Sequence, residues 1–168
     1  MGPQIKKGLQ PRAVVSFRPA PQEIRTYFIT TITASRRRLF QVEQTALLLI
    51  DVLQDQRSKG RIELHAFVVM PEPLHLMLTP SPETSLEKAM QYIKGGFSFR
   101  LRSKLDVWQR SYDSRRMIQS GDFSERIRYI HDNPVRARVA NTPELYPFCS
   151  ANKAHDRPRP SSPSMTDL

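Results

Sequence analysis

Residues 61–79 read RIELHAFVVMPEPLHLMLT, and the fold is decided by how that stretch divides. Arg61–Met70 is rich in β-branched and aromatic residues and predicts a strand. Pro71–Pro73 predicts a turn, and Leu74–Thr79 a second strand that folds back on the first. In a strand, successive side chains point to opposite faces. Leu74, Leu76 and Leu78 therefore share one face, and His75 and Met77 the other. The leucine face belongs to a core under helices, so His75 points to the opposite side of the sheet.

Working outward, Thr26–Ala34 (TYFITTITA) predicts another strand. Between it and the hairpin, Gln41–Lys59 carries Val42, Ala46, Leu49, Ile50 and Leu53 at helical spacing, with Gly60 at the position just past the helix end. Downstream, Thr84-Ser-Leu-Glu87 has the form of a capping box, and Leu86, Met90 and Ile93 follow as a buried stripe. Val107–Met117 lacks a helical period and predicts extended chain. Asp122 and Glu125 mark a further helix start, with Phe123, Ile127 and Ile130 on its core side. That helix is expected to stop before Pro134, because a residue preceding proline disfavours the helical conformation. The order β-α-β-β-α-β-α predicts an α+β, ferredoxin-like antiparallel sheet with helices on one face. Such a layer serves many functions and selects none of them.

Residues 1–23 form an expected basic, proline-containing tail, 24–150 a single domain, and 151–168 a disordered tail. One domain suits a chain of 168 residues. Lys plus Arg number 26 and Asp plus Glu 16, so the net charge is 26 − 16 = +10. That balance favours a polyanionic partner, nucleic acid before a membrane surface, although many small basic proteins bind nothing specific. The single Cys149 excludes an internal disulfide framework and fits a reducing compartment. No apolar run approaches the ~18 residues of a membrane span. The first residues lack the apolar segment of a secretory signal, so a cytoplasmic protein is expected.

Two constellations carry possible chemistry. His75 on its strand is the first, and a strand histidine without a role satisfies the same pattern. The second is Tyr-Ile-His-Asp-Asn-Pro, residues 129–134. Tyr129 and Asn133 lie four apart and share a helix face. Arg126 and Arg136 lie nearby, and cations favour negative charge on an attacking phenol oxygen. A packing tyrosine followed by an Asn-Pro helix stop fits equally well. Lys94, Arg100, Arg110, Arg115, Arg116, Arg126 and Arg136 are candidates to neutralise phosphates. Trp108, Tyr112 and Phe99 are candidates to stack on unpaired bases, Trp108 reading better as a core anchor. An RNA-binding sheet of the RRM kind is disfavoured, since its glycine-aromatic signature is missing.

Taken in order and spacing, YFITTIT, LFQ, AFVVMP-x-x-LHLML, SLEKAMQYIKGGFSFR, VWQ-x-x-YD, YIHDNPVRARVA and YPFCS resemble the REP-associated tyrosine transposases, single-tyrosine HUH transposases of bacterial insertion sequences. The resemblance runs from about Tyr27 to Phe148. It implies a fold of the HUH endonuclease type and a partner in single-stranded or hairpin DNA, with a nucleoid-associated location. Its members are monomers or homodimers. It also implies a Mg²⁺ or Mn²⁺ ion that polarises the scissile phosphate. A helix tyrosine attacks that phosphate, leaving a 5′-phosphotyrosine and a free 3′-OH that can rejoin. Tyr129 falls on the nucleophile position, His75 on the second histidine of the pair, and Asn133 on the third metal-ligand position.

The chain departs from the pattern at the first histidine, where it has Pro73. Proline offers neither a ligand nor an N–H. Glu72 is the better substitute, although parity starts it on the wrong face; His65 is expected near the far end of the third strand. A missing ligand costs on the order of 10²–10⁴ in rate. The resemblance therefore implies either a weakened strand transferase with a weak metal site or a relative that binds structured DNA without cutting it.

Overall fold

The computed structural model describes residues 23–156. Most of the two expected tails, 1–22 and 157–168, lies outside the described residues. Strands β1 (Tyr27–Thr31), β2 (Ile62–Val69), β3 (Leu74–Pro80) and β4 (Asp113–Arg116) form one sheet in the order β2-β3-β1-β4. Every pairing is antiparallel. Helices α1 (Glu43–Ser58), α2 (Leu86–Leu101) and α3 (Ser120–Arg136) complete the α+β architecture.

The hairpin divides the molecule into two layers. Leu74, Leu76 and Leu78 pack with Ile29, Phe67 and Val69 against the apolar faces of α1 and α2. On the other side, Met77, Ala66 and Val68 meet Ile130 of α3, with Phe28, Phe123 and Ile127 around them. The expectation of helices on one face thus holds for α1 and α2 only. The third helix crosses to the far face because that face is itself apolar and needs cover; α3 packs mainly on β2.

Helix ends follow local chemistry with three departures from expectation. Gly60 adopts φ 67° at the end of α1, the left-handed conformation glycine tolerates. The N-cap of α2 is Ser85, which accepts from the Lys88 N–H at 3.1 Å. Thr84 instead accepts a hydrogen bond from the Ser81 hydroxyl, so the capping box expected one residue earlier does not form. The N-cap of α3 is Gln119, earlier than expected, and its N–H donates to the Asp122 carboxylate. At its other end α3 runs through Pro134 to Arg136. Pro134 is buried, and the N–H groups of Ala137, Arg138 and Val139 close the last turn onto Asn133, Val135 and Pro134. Packing and those bonds outweigh the local preference of Asn133.

The first strand is also shorter than expected. After Thr31 the chain turns, and Thr33 bridges Trp108. The expected tail from residue 151 is likewise corrected at its beginning. Residues 151–156 remain in the fold, including a 3₁₀ turn at Lys153–His155. Just before them, Phe148 and Ser150 bond to Val69 and Phe67, covering the free edge of β2. His131 of α3 bonds the Ser150 hydroxyl at 2.9 Å and ties this segment to the helix.

Candidate functional site

The site lies where α3 overhangs β1 and β3. Residues 126, 129, 133 and 136 recur every three or four positions, so Arg126, Tyr129, Asn133 and Arg136 share one stripe of α3. Ile127, Ile130 and Pro134 hold a different face against the core. The stripe is left facing the sheet beside β1. Register sets what it meets there. Thr30 stands opposite His75, and Phe28 opposite Met77, so Phe28, Thr30 and His75 share the α3 side.

The rings converge. The Tyr129 and His75 centroids are 5.8 Å apart with their planes at 77°. Phe28 stacks on His75 at 5.7 Å and meets Tyr129 edge-on at 5.8 Å. Arg136 places its guanidinium carbon 4.1 Å from the Tyr129 centroid. Arg126 approaches Phe28 and Tyr129 at 5.2 and 5.7 Å. The phenol therefore sits among one imidazole, one phenyl ring and two guanidinium groups.

His75 is only 7 % exposed, more enclosed than a strand histidine on an open face would be. Its cover includes the phenol itself. Burial pushes its pKa down to about 4, and the Arg136 charge pushes the same way. The imidazole is therefore neutral at neutral pH. Its Nδ1 lies 3.0 Å from the Thr30 hydroxyl. With Nδ1–H donating to that oxygen, Nε2 keeps its lone pair, the arrangement that orients a ligating histidine.

Donors for a divalent ion are few. Pro73 has none, and the Glu72 carboxylate is held by Arg36 at 3.1 Å. Among the described residues no group of three or more His, Cys, Asp or Glu is placed to hold a metal. That leaves His75 and, by its place one turn beyond Tyr129 on the same stripe, Asn133 as candidate donors, too few to build a Mg²⁺ site from protein alone. His65, on β2, meets the far end of β3, bonded to Thr79 at 2.7 Å, away from His75.

The remaining basic candidates separate by layer. Arg115 stands opposite Phe28 and so belongs to the α3 side. Arg116 stands opposite Tyr27, on the other side, and pairs with Glu23. Lys94 and Arg100 sit on α2, in the opposite layer. Lys94 donates to the Gln109 carbonyl at 2.8 Å, and Arg100 pairs with Asp55 of α1 at 2.9 Å. The structure therefore does not bring Lys94, Arg100 or Arg116 to the tyrosine. Arg110 is exposed between Trp108 and β4. Trp108 is a core anchor, packed on Phe40 and Phe97 with its indole N–H on the Lys94 carbonyl. Sequence reasoning missed Phe28, Thr30 and Arg36. The alternation in YFITT placed Phe28 and Thr30 on one face, but only the β1–β3 register opposes Thr30 to His75.

The fold is thus an α+β antiparallel sheet with a tyrosine-bearing helix lying across its histidine strand. The family model for IS200-like transposases matches residues 24–133, and the chain belongs to that family. Among solved structures, it is similar to a REP-associated tyrosine transposase bound to a REP hairpin, at 23% identity and a TM-score of 0.67. That likeness covers 92% of this chain and 95% of the other. It is also similar to a Deinococcus radiodurans structure described as a transposase, at 24% identity and a TM-score of 0.50 over 76% of this chain and 97% of that one. A search of curated proteins finds no match.

Proposed function

We propose that the chain binds single-stranded hairpin DNA of the REP type and cleaves and rejoins it through Tyr129. The observation that carries this reading is the convergence of a phenol, a neutral imidazole and two guanidiniums on one face of the sheet. The solved relative held on a REP hairpin supports the choice of DNA. The Tyr129 oxygen attacks the scissile phosphorus and gives up its proton. The bond from phosphorus to the 3′-oxygen breaks, and that oxygen takes a proton to become the 3′-OH. The strand is then held as a 5′-phosphotyrosine. Attack by a 3′-OH on the same phosphorus reverses the step without ATP, because each exchange replaces one ester by another.

Each side chain has a part. Thr30 fixes the imidazole, and Phe28 holds both rings in place. For the Nε2 lone pair to serve as a donor, the phenol must swing off the histidine it covers. His75 and Asn133 would hold Mg²⁺ or Mn²⁺, which would supply Lewis-acid polarisation of the phosphate, and two protein donors would bind such an ion weakly. Pro73 accounts for that weakness.

The test is incubation with a single-stranded REP-type hairpin and Mn²⁺, followed by denaturing gel analysis for a covalent adduct. Wild type should form it slowly, Tyr129→Phe not at all, and Pro73→His faster by about 10²-fold. An adduct in neither wild type nor Pro73→His would remove the catalytic reading. Pro73 and the ion-paired Glu72 favour a second reading, a binder of structured DNA that does not cut. That reading predicts tight hairpin binding unchanged in Tyr129→Phe, with no adduct from any variant.

A further inference from the structure

The α3 stripe places two guanidinium groups beside the phenol. Arg126 and Arg136 flank Tyr129 one turn before it and two turns after it. Among the described residues, neither forms an ion pair with a carboxylate. Arg36, by contrast, is neutralised by Glu72. Arg136 spends one of its five N–H donors on the Tyr129 carbonyl, at 3.3 Å, and lies over the phenol ring. A guanidinium stacked on a ring keeps its edge N–H groups free in its own plane. Two such edges beside one phenol suit the oxygens of a phosphodiester.

We infer that Arg136, with Arg126, grips the phosphate that Tyr129 attacks, so that strand binding at this site does not require a divalent ion. The inference rests on the reading of Tyr129 as the residue facing the DNA phosphate, and it assigns the charge. The other groups cannot supply it. Pro73 brings no ligand, and Glu72 is bound to Arg36. A bidentate guanidinium both neutralises a phosphate and fixes its orientation, which a lysine ammonium does not. The placement of Arg136 depends on α3 continuing through Pro134; a helix ending at Asn133 would carry it away from the phenol.

The experiment measures binding of the full chain to a fluorescein-labelled single-stranded REP-type hairpin by anisotropy, in EDTA and in Mn²⁺. Wild type should bind within about twofold under both conditions. Arg136→Gln should weaken binding about tenfold in both, and Arg136→Lys should recover only part of that loss. Arg128→Gln, an exposed change on the same helix, controls for general loss of charge and should cost about twofold. Loss of wild-type binding in EDTA would overturn the inference, and that arm needs no variant to fold. An Arg136→Gln effect no larger than that of Arg128→Gln, in protein with an unchanged melting temperature, would also overturn it. The outcomes separate from those of the catalytic reading. Metal-independent, Arg136-dependent binding without an adduct sustains the grip and sinks catalysis; an adduct with EDTA-sensitive binding does the reverse.

Discussion

His75 shows how one residue's surroundings set its chemistry. On an open strand it would titrate near neutral pH, but under Tyr129 and Phe28 its pKa falls to about 4. The unfolded chain then binds a proton that the native state refuses, between about pH 6.5 and 4. Stability is fully present above the unfolded value and is lost as pH falls through that window. The loss attributable to His75 reaches roughly 3 kcal/mol at the acid end. Burial depresses His65 and His131 in the same direction, so the whole protein should weaken on acidification. Urea unfolding at pH 7 and pH 4.5 should show a clearly smaller loss in His75→Gln than in wild type. An identical loss in both would mean the imidazole is not enclosed as described.

At the scale of elements, α3 does two jobs with two stripes. One buries Ile130 completely and docks the helix; the other presents Tyr129. Ile130 and Tyr129 are neighbours in sequence, so loosening the first displaces the second. Ile130→Ala should cost about 2–4 kcal/mol in urea unfolding. Adduct yield should fall further than the unfolded fraction explains, because the phenol loses its fixed approach. A yield that tracks the folded fraction alone would deny α3 its positioning role. The end of the helix was misread. The rule that residues before proline leave the helix is local, whereas the burial of Pro134 and the closing bonds from residues 137–139 are tertiary and stronger.

Across the whole molecule, the net charge of +10 is not evenly useful. Arg115, Arg126 and Arg136 lie on the α3 side, whereas Lys94 and Arg100 support the α1–α2 layer. A strand lying on the α3 face releases counterions only from the phosphates it meets there. Arg115→Gln should therefore lower the slope of log affinity against log salt by about 0.7 for single-stranded DNA, and Arg100→Gln should leave it unchanged. Equal slopes for the two variants would place the strand elsewhere. Much of this plan was legible from residue order. Strict alternation in LHLML set His75 apart from the leucines, and four-residue spacing joined Tyr129 to Asn133. That Lys94, Arg100 and Arg116, candidates to neutralise phosphates, lie away from the tyrosine was not legible, because a positive side chain reads alike on either layer. Only its partners, Gln109, Asp55 and Glu23, tell the layers apart.

Short-range chemistry is written along the chain: the strand and helix periods, the face on which His75 stands, the proline where a metal-binding histidine is expected, and the phenol four residues before an asparagine. Which layer each helix joins, how far α3 extends, and which arginines surround the phenol are not written there. Those outcomes depend on contacts between segments far apart in sequence, where the apolar area covered outweighs the small local preferences of any one residue.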